Sequence, residues 1–439
     1  MKSVAAAACA AVAFAGISSP LAAQVGNPAT PTVGRPVTAP AGPPAPLLVA
    51  RPGQRSGPLP ANLTLTQALD EAAARSPVVI AAEAEVRSAE ARARQAGYRQ
   101  NPELSLEVED FAGTGELRGL RRTQTTVAVN QRLDLGGRRG ARLTAARAEL
   151  TVQQIRLAIA RADLALGVRQ EFARAVAARE RLAQATATVE RARELARVAG
   201  ILVEAGRDPP LRALRARSAV AQALAEQEAA VAEEVSARTT LASLLGSATP
   251  VESVTGSSID LTPVDVKLDR SLEVRLADAE IAAAEAALRV QLAERRLDPA
   301  VGIGVRHIRE TGDVGLVAGA SIPLRLFDRN QGNIAAARSA VIAAQARRAS
   351  TLASVTARGR NAIATVEAAE RRVGALESAA IPEAAEALRL AQISYREGRA
   401  SLLELIDAQN AFTTAQKALT EARLALALAT AELGRIAAQ

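Results

Sequence analysis

The stretch NPELSLEVEDF, residues 101–111, sets Leu104, Leu106 and Val108 against Glu103, Ser105, Glu107 and Glu109. That period of two gives a strand one apolar and one polar face. DPAVGIGVRHI, residues 298–308, repeats it: Val301, Ile303 and Val305 fall on the three apolar positions at an offset of 197, with Gly302, Gly304 and Arg306 on the other face. The next stretch, TTVAVNQRLDLGGRRGARLTAARAEL (125–150), matches LVAGASIPLRLFDRNQGNIAAARSAV (316–341) at an offset of 191. The two hairpin loops therefore differ by six residues, and a loop is where a duplicated unit tolerates a change of length.

Working outward, each hairpin is followed by a long Ala-rich helical segment, roughly residues 140–200 and 333–396. The second alone spans about 90 Å at ~1.5 Å per residue. A glycine turn ends each segment and a returning helix follows, because AGRDPPLRALRARSA aligns with EGRASLLELIDAQNA and Gly206 falls on Gly398. The predicted organisation is two repeats, 63–246 and 270–439, joined by a linker over 247–269. Each repeat reads helix, β-hairpin, long helix, turn, helix. In the first, LTLTQALDEAAARSP opens a helix with Thr64 or Thr66 as cap and Pro77 as boundary.

Composition agrees with a mainly α chain carrying a small β part. Hydrophobic residues make up 49% of it, yet aromatics only 2%, with no Trp; this suits long helices packed through small side chains rather than aromatic-centred cores. Residues 1–23 read as a secretory signal peptide cleaved after Ala23. The sole cysteine, Cys9, lies inside it, so no disulfide or thiolate metal site is expected in the mature chain. Residues 24–62 hold 10 of the 20 prolines with no apolar period and read as a disordered arm. The net charge of +8 comes from Arg and Glu alternating along helices without a basic run, a pattern of solvated faces rather than of nucleic-acid binding.

Four strands cannot close a barrel, and an open sheet with an apolar face leaves its edges exposed. A soluble sandwich would need more strands and both faces covered. Strands of about ten residues suit the ~9–11 that cross a bilayer in a tilted barrel wall, and three chains would supply twelve. Tyr98 precedes the first strand, Phe111 ends it and Phe327 ends the fourth, where an interfacial girdle belongs.

The duplicated strand-hairpin-helix order, PLRLFDRNQG (323–332) at the strand-to-helix passage and YREGRASLLELIDAQ (395–409) at the last turn together resemble the TolC-like outer-membrane efflux protein family over residues 62–437. PLRLFDRNQG resembles its heavy-metal branch most. The resemblance implies a homotrimer with a 12-stranded barrel in outer-membrane lipid and a periplasmic tunnel of helices. It also implies a periplasmic adaptor and an inner-membrane pump of the proton-driven RND type as partners. Both turns would lie at the tunnel's far end and meet the adaptor around Gly206, Gly398, Arg399, Ser401 and Leu402. Glu404 and Asp407 would line the constriction, with Tyr395 and Arg215 as latch candidates. Ala400 stands where some members carry an arginine. Arg212 and Arg215 occupy the first-repeat positions equivalent to the two acids.

Other chemistry is set aside. Glu404 and Asp407 as a catalytic pair would have no second wall to hold a substrate. His307, the only histidine, reads as a pore or loop residue, since cation sites gather several donors. LGGRRG (135–140) lacks the Lys-Ser/Thr ending of a phosphate loop. No enzyme activity, cofactor or metal site is expected. The reading favoured is a passive exit duct for metal cations or small toxic compounds. A protein-secretion duct of the same fold and a periplasmic helical-hairpin adaptor are the alternatives, though an adaptor would show one hairpin between compact β domains.

Overall fold

The computed structural model describes residues 57–256 and 266–438. The expected signal peptide, most of the Pro-rich arm and part of the linker lie outside the described residues. The arm's last residues are described: Leu59 packs onto a buried core and Asn62 pairs in a strand.

In chain order the elements are β1 (Asn62–Leu63), α1 (Leu65–Arg75), α2 (Pro77–Ala96), β2 (Glu103–Glu109), β3 (Gln124–Arg132), α3 (Arg138–Glu204), α4 (Pro210–Leu244) and β4 (Ser253–Val254). The second repeat supplies α5 (Leu272–Glu294), β5 (Ala300–Ile308), β6 (Val314–Ser321), α6 (Gln331–Ala375), α7 (Ile381–Arg396) and α8 (Leu402–Ile436). Thr64 caps α1 with a reciprocal box through Gln67, and α2 starts at Pro77, as the sequence predicts. At 67 residues, α3 runs ~100 Å.

The sheet order is β2-β3-β5-β6, antiparallel throughout, so the two hairpins meet along β3 and β5. Leu104 faces Val129, which faces Ile303, which faces Ala318; Leu106, Val127, Val305 and Leu316 form the next row. These rows share one face and are solvent-exposed, Leu316 to 91%. The opposite face carries Glu103, Glu107, Gln124, Asn130, Gly302, Arg306 and Gly319. There Arg306 binds Glu109 at 3.2 Å and Thr126 at 3.0 Å. Both repeat offsets thus keep each residue on its face. β2 and β6 are the open edges.

Two expectations are corrected here. His307 lies on the apolar face, opposite Thr125 and Val314, because its odd position in β5 puts it in phase with Ile303 and Val305 rather than with Arg306. Phe327 does not end a strand: β6 stops at Ser321, and Phe327 lies in the passage to α6, 91% exposed.

The main core lies where α1, the middle of α3, the end of α4 and the short parallel β1–β4 pair meet, around Leu63, Phe172, Leu241 and Val254. Elsewhere the buried helical positions are largely alanines, which let helices approach closely. The second long segment is not one uniform helix. Leu376–Ala380 form a π turn between α6 and α7, just before Pro382, whose missing N–H and ring break the regular ladder. Glu377 in this turn is tied to Arg423 of α8 at 2.6 Å.

Candidate functional site: the helical turns

Both glycine turns close by the same backbone device. Gly206 and Gly398 take φ of 64° and 75°. Gly206 N–H donates to Val203 and Arg207 N–H to Leu202; Gly398 N–H donates to Tyr395 and Arg399 N–H to Ser394. This is the Schellman arrangement, in which a left-handed residue reverses the chain and satisfies the last carbonyls. With positive φ at both positions, glycine is the residue that pays no Cβ penalty.

The turns differ in what fastens the returning helix. At the second, Ser401 caps α8: its Oγ accepts from Glu404 N–H at 3.2 Å, and Glu404 Oε2 accepts from Ser401 N–H at 2.6 Å. Glu404 is thus the third residue of a capping box. At the first, α4 opens at Pro210 and Arg212 is ion-paired to Asp208. Arg212 and Glu404, equivalent in the repeats, each fasten their own turn with opposite charge.

The structure keeps the other expected residues near these turns. Asp407 and Glu404 are both exposed on α8. Arg215 is exposed and has no ion pair with Asp407 within the chain among the described residues. Arg399 is exposed and pairs with Glu397 at 3.4 Å. Leu402 departs from expectation. It is 4% exposed and packs inward with Leu405 against Leu195 and Leu388, since residues three apart share a helix face. Leu403, 58% exposed, is the apolar side chain presented outward.

Tyr395 joins the two hairpins. Its ring packs on the Leu195–Leu402–Leu405 cluster, and its hydroxyl is buried without a hydrogen-bond partner among the described residues. Burial raises its pKa, the Asp208 carboxylate raises it further, and Arg212 offsets part of that. Tyr395 of the second repeat therefore feels the charges of the first turn. Sequence reading missed Asp208; its i,i+4 spacing to Arg212 was the available signal.

With this geometry established, the chain matches the family model described as outer membrane efflux protein over residues 68–247 and 264–439. The chain belongs to the outer membrane efflux protein family. Within this TolC-like family, named relatives include the cobalt-zinc-cadmium resistance protein CzcC of Cupriavidus metallidurans, 31% identical and covering 82% of this chain and 85% of that one. The nickel and cobalt resistance protein CnrC of the same organism is 34% identical, over 69% of this chain and 73% of that one. Among solved structures, the outer membrane protein VceC of Vibrio cholerae superposes with a TM-score of 0.70 at 20% identity, covering 85% of this chain and 96% of that one. This efflux protein is the outer-membrane channel component of a tripartite efflux system and extends into the periplasm. Channels of the family work without catalysis and assemble as trimers with a periplasmic adaptor and an inner-membrane pump.

Proposed function

We propose that this chain forms a homotrimer whose twelve strands close a barrel in the outer membrane, continued by a periplasmic tunnel of helices that exports metal cations. The observation that carries this reading is the sheet: two open edges, β2 and β6, and one exposed apolar face. Pairing the edges of successive copies removes both liabilities, because within a bilayer every backbone group must find a partner. Metal cargo is supported by the resistance proteins it resembles. A proton-driven pump of the RND type supplies the energy, and an adaptor meets the turns at Gly206, Gly398, Arg399 and Ser401, with Leu402 bracing the second from inside.

In this assembly Glu404 and Asp407 of three copies ring the periplasmic mouth, and low-dielectric walls focus their field so that cations are favoured. Tyr395 and Arg215 latch neighbouring hairpins. The test is the reversal potential of single channels in a salt gradient for Glu404→Gln with Asp407→Asn. Loss of cation preference in an intact trimer is expected. An unaltered potential places both acids on a solvated face, where charges are screened beyond ~8 Å.

A further inference from the structure

Where the sheet gives way to the helices, the end of β3 and the start of α3 meet the segments leaving α2 and α5 around a cleft of about 700 Å³. Its walls include Tyr98, Arg99, Leu133, Leu135, Arg139 and Arg142. Leu133 extends the β3 ladder, its N–H donating to the Pro299 carbonyl at 2.8 Å, so it keeps the phase of Val127 and Val129 on the apolar face. Tyr98 and Leu135 are exposed. The cleft thus continues the apolar face of the sheet at the level where the strands end and the periplasmic helices begin. Because α3 packs on both α2 and α5, its walls come from one chain.

Five guanidinium groups and three carboxylates line it. The acids are engaged inside the fold. Asp134 accepts from the backbone N–H groups of Arg138 and Arg139 at 2.9 and 2.7 Å. Asp298 and Glu294 both pair with Arg138, at 3.1 and 3.6 Å, and the second Asp298 oxygen is sealed from solvent. Arg132 lies on the polar face of the sheet, opposite Ala300. That leaves Arg99, Arg139 and Arg142, none of which has an ion pair among the described residues. Arg139 and Arg142, three apart, share a face of α3.

Unpaired cations beside exposed apolar side chains, at the border of an apolar face, match a ligand that carries a phosphate and a hydrocarbon stem. We propose that this cleft binds the headgroup of an anionic phospholipid of the periplasmic leaflet. Its phosphate lies on Arg139 and Arg142, with Arg99 beside them, and its acyl chains run along Leu133, Leu135 and the apolar face. Guanidinium groups hold phosphate through charge-assisted, often paired hydrogen bonds. A zwitterionic lipid offers the same phosphate but brings its own cation, so net charge decides between them. The inference rests on the outer-membrane location of the chain and is independent of the trimer, the constriction and the cargo.

The test is native mass spectrometry of the full-length channel in detergent, titrated with phosphatidylglycerol or with phosphatidylcholine of the same acyl chains. Lipids are counted per chain, whatever the oligomer. One phosphatidylglycerol per chain is expected, bound at least about tenfold more tightly than phosphatidylcholine. Arg139→Gln with Arg142→Gln should bring the two lipids level, whereas Arg139→Lys with Arg142→Lys should keep the preference. Arg347→Gln with Arg360→Gln, exposed and further along α6, removes the same charge and should change nothing. Equal affinity for the two lipids in the unmodified channel overturns the proposal, as does the absence of saturable phosphatidylglycerol binding. Unchanged affinity in the double glutamine variant does the same. Displacement of the lipid by glycerol 3-phosphate at equal concentration would make the cleft a site for a free phosphate ester, which also overturns it.

Discussion

At the scale of single residues, Glu404 holds two assignments that can be separated by chemistry. As the third residue of the capping box it accepts from Ser401 N–H, a task that glutamine performs as well as glutamate. As part of the proposed constriction it must carry charge. Glu404→Gln should therefore leave thermal stability nearly unchanged, whereas Glu404→Ala should cost about 0.5–1.5 kcal/mol per chain by removing the acceptor of Ser401 N–H, the Ser401 cap itself remaining. Differential scanning calorimetry of the detergent-solubilised channel distinguishes them. Asp407→Asn, one turn on and exposed, should alter stability by no more than about 0.5 kcal/mol. Ser401-x-x-Glu404 was legible as a capping box in the sequence, but the pair Glu404 and Asp407 drew attention to charge instead. The influence of Asp208 on Tyr395 was not legible, because it depends on how two hairpins pack rather than on any local spacing.

At the scale of the elements, the strands and turns were legible because each obeys a local period. Leu104, Leu106 and Val108 alternate, their counterparts at 301, 303 and 305 follow suit, and the paired glycines take positive φ. The π turn at Leu376–Ala380 was missed although Pro382 advertised a fault in the helix. The β1–β4 pair, two residues on each side, carries too short a pattern for periodicity to reveal. The glycines of β5 make a sharper prediction. A side chain at Gly304 would meet the Val127 carbonyl at 2.5 Å and Ala128 Cβ at 2.7 Å, both fixed by the sheet. At Gly302 the obstruction is the Asn130 side-chain amide, which can rotate away. Gly304→Ala should thus reduce assembled channel in the outer membrane severalfold, and Gly302→Ala only slightly, as read from heat-resistant oligomer on gels.

At the scale of the whole molecule, the two faces of the sheet should respond oppositely to charge. Ile303 sits near the middle of β5 on the apolar face, so Ile303→Arg should destabilise the membrane-inserted state by about 2–4 kcal/mol. Gly319, on the polar face opposite Gly302 and with open space around its Cα, should accept arginine with little loss of assembly. Urea titration of the channel in lipid vesicles measures the difference. No helix among the described residues is long and apolar enough to cross a membrane.

The open edges also bear on the chain's life before it reaches its destination. β2 and β6 are different surfaces, so in the proposed trimer one copy would offer a β6 edge to the β2 edge of the next, a head-to-tail contact that ends only when the ring closes. Until then each newly exported copy carries both halves of a template for its own kind and no finished wall. Its maturation becomes a race between meeting two siblings and being captured by holdases or proteases. Output should then fall more steeply than synthesis, so that a modest drop in expression removes a disproportionate share of working channels.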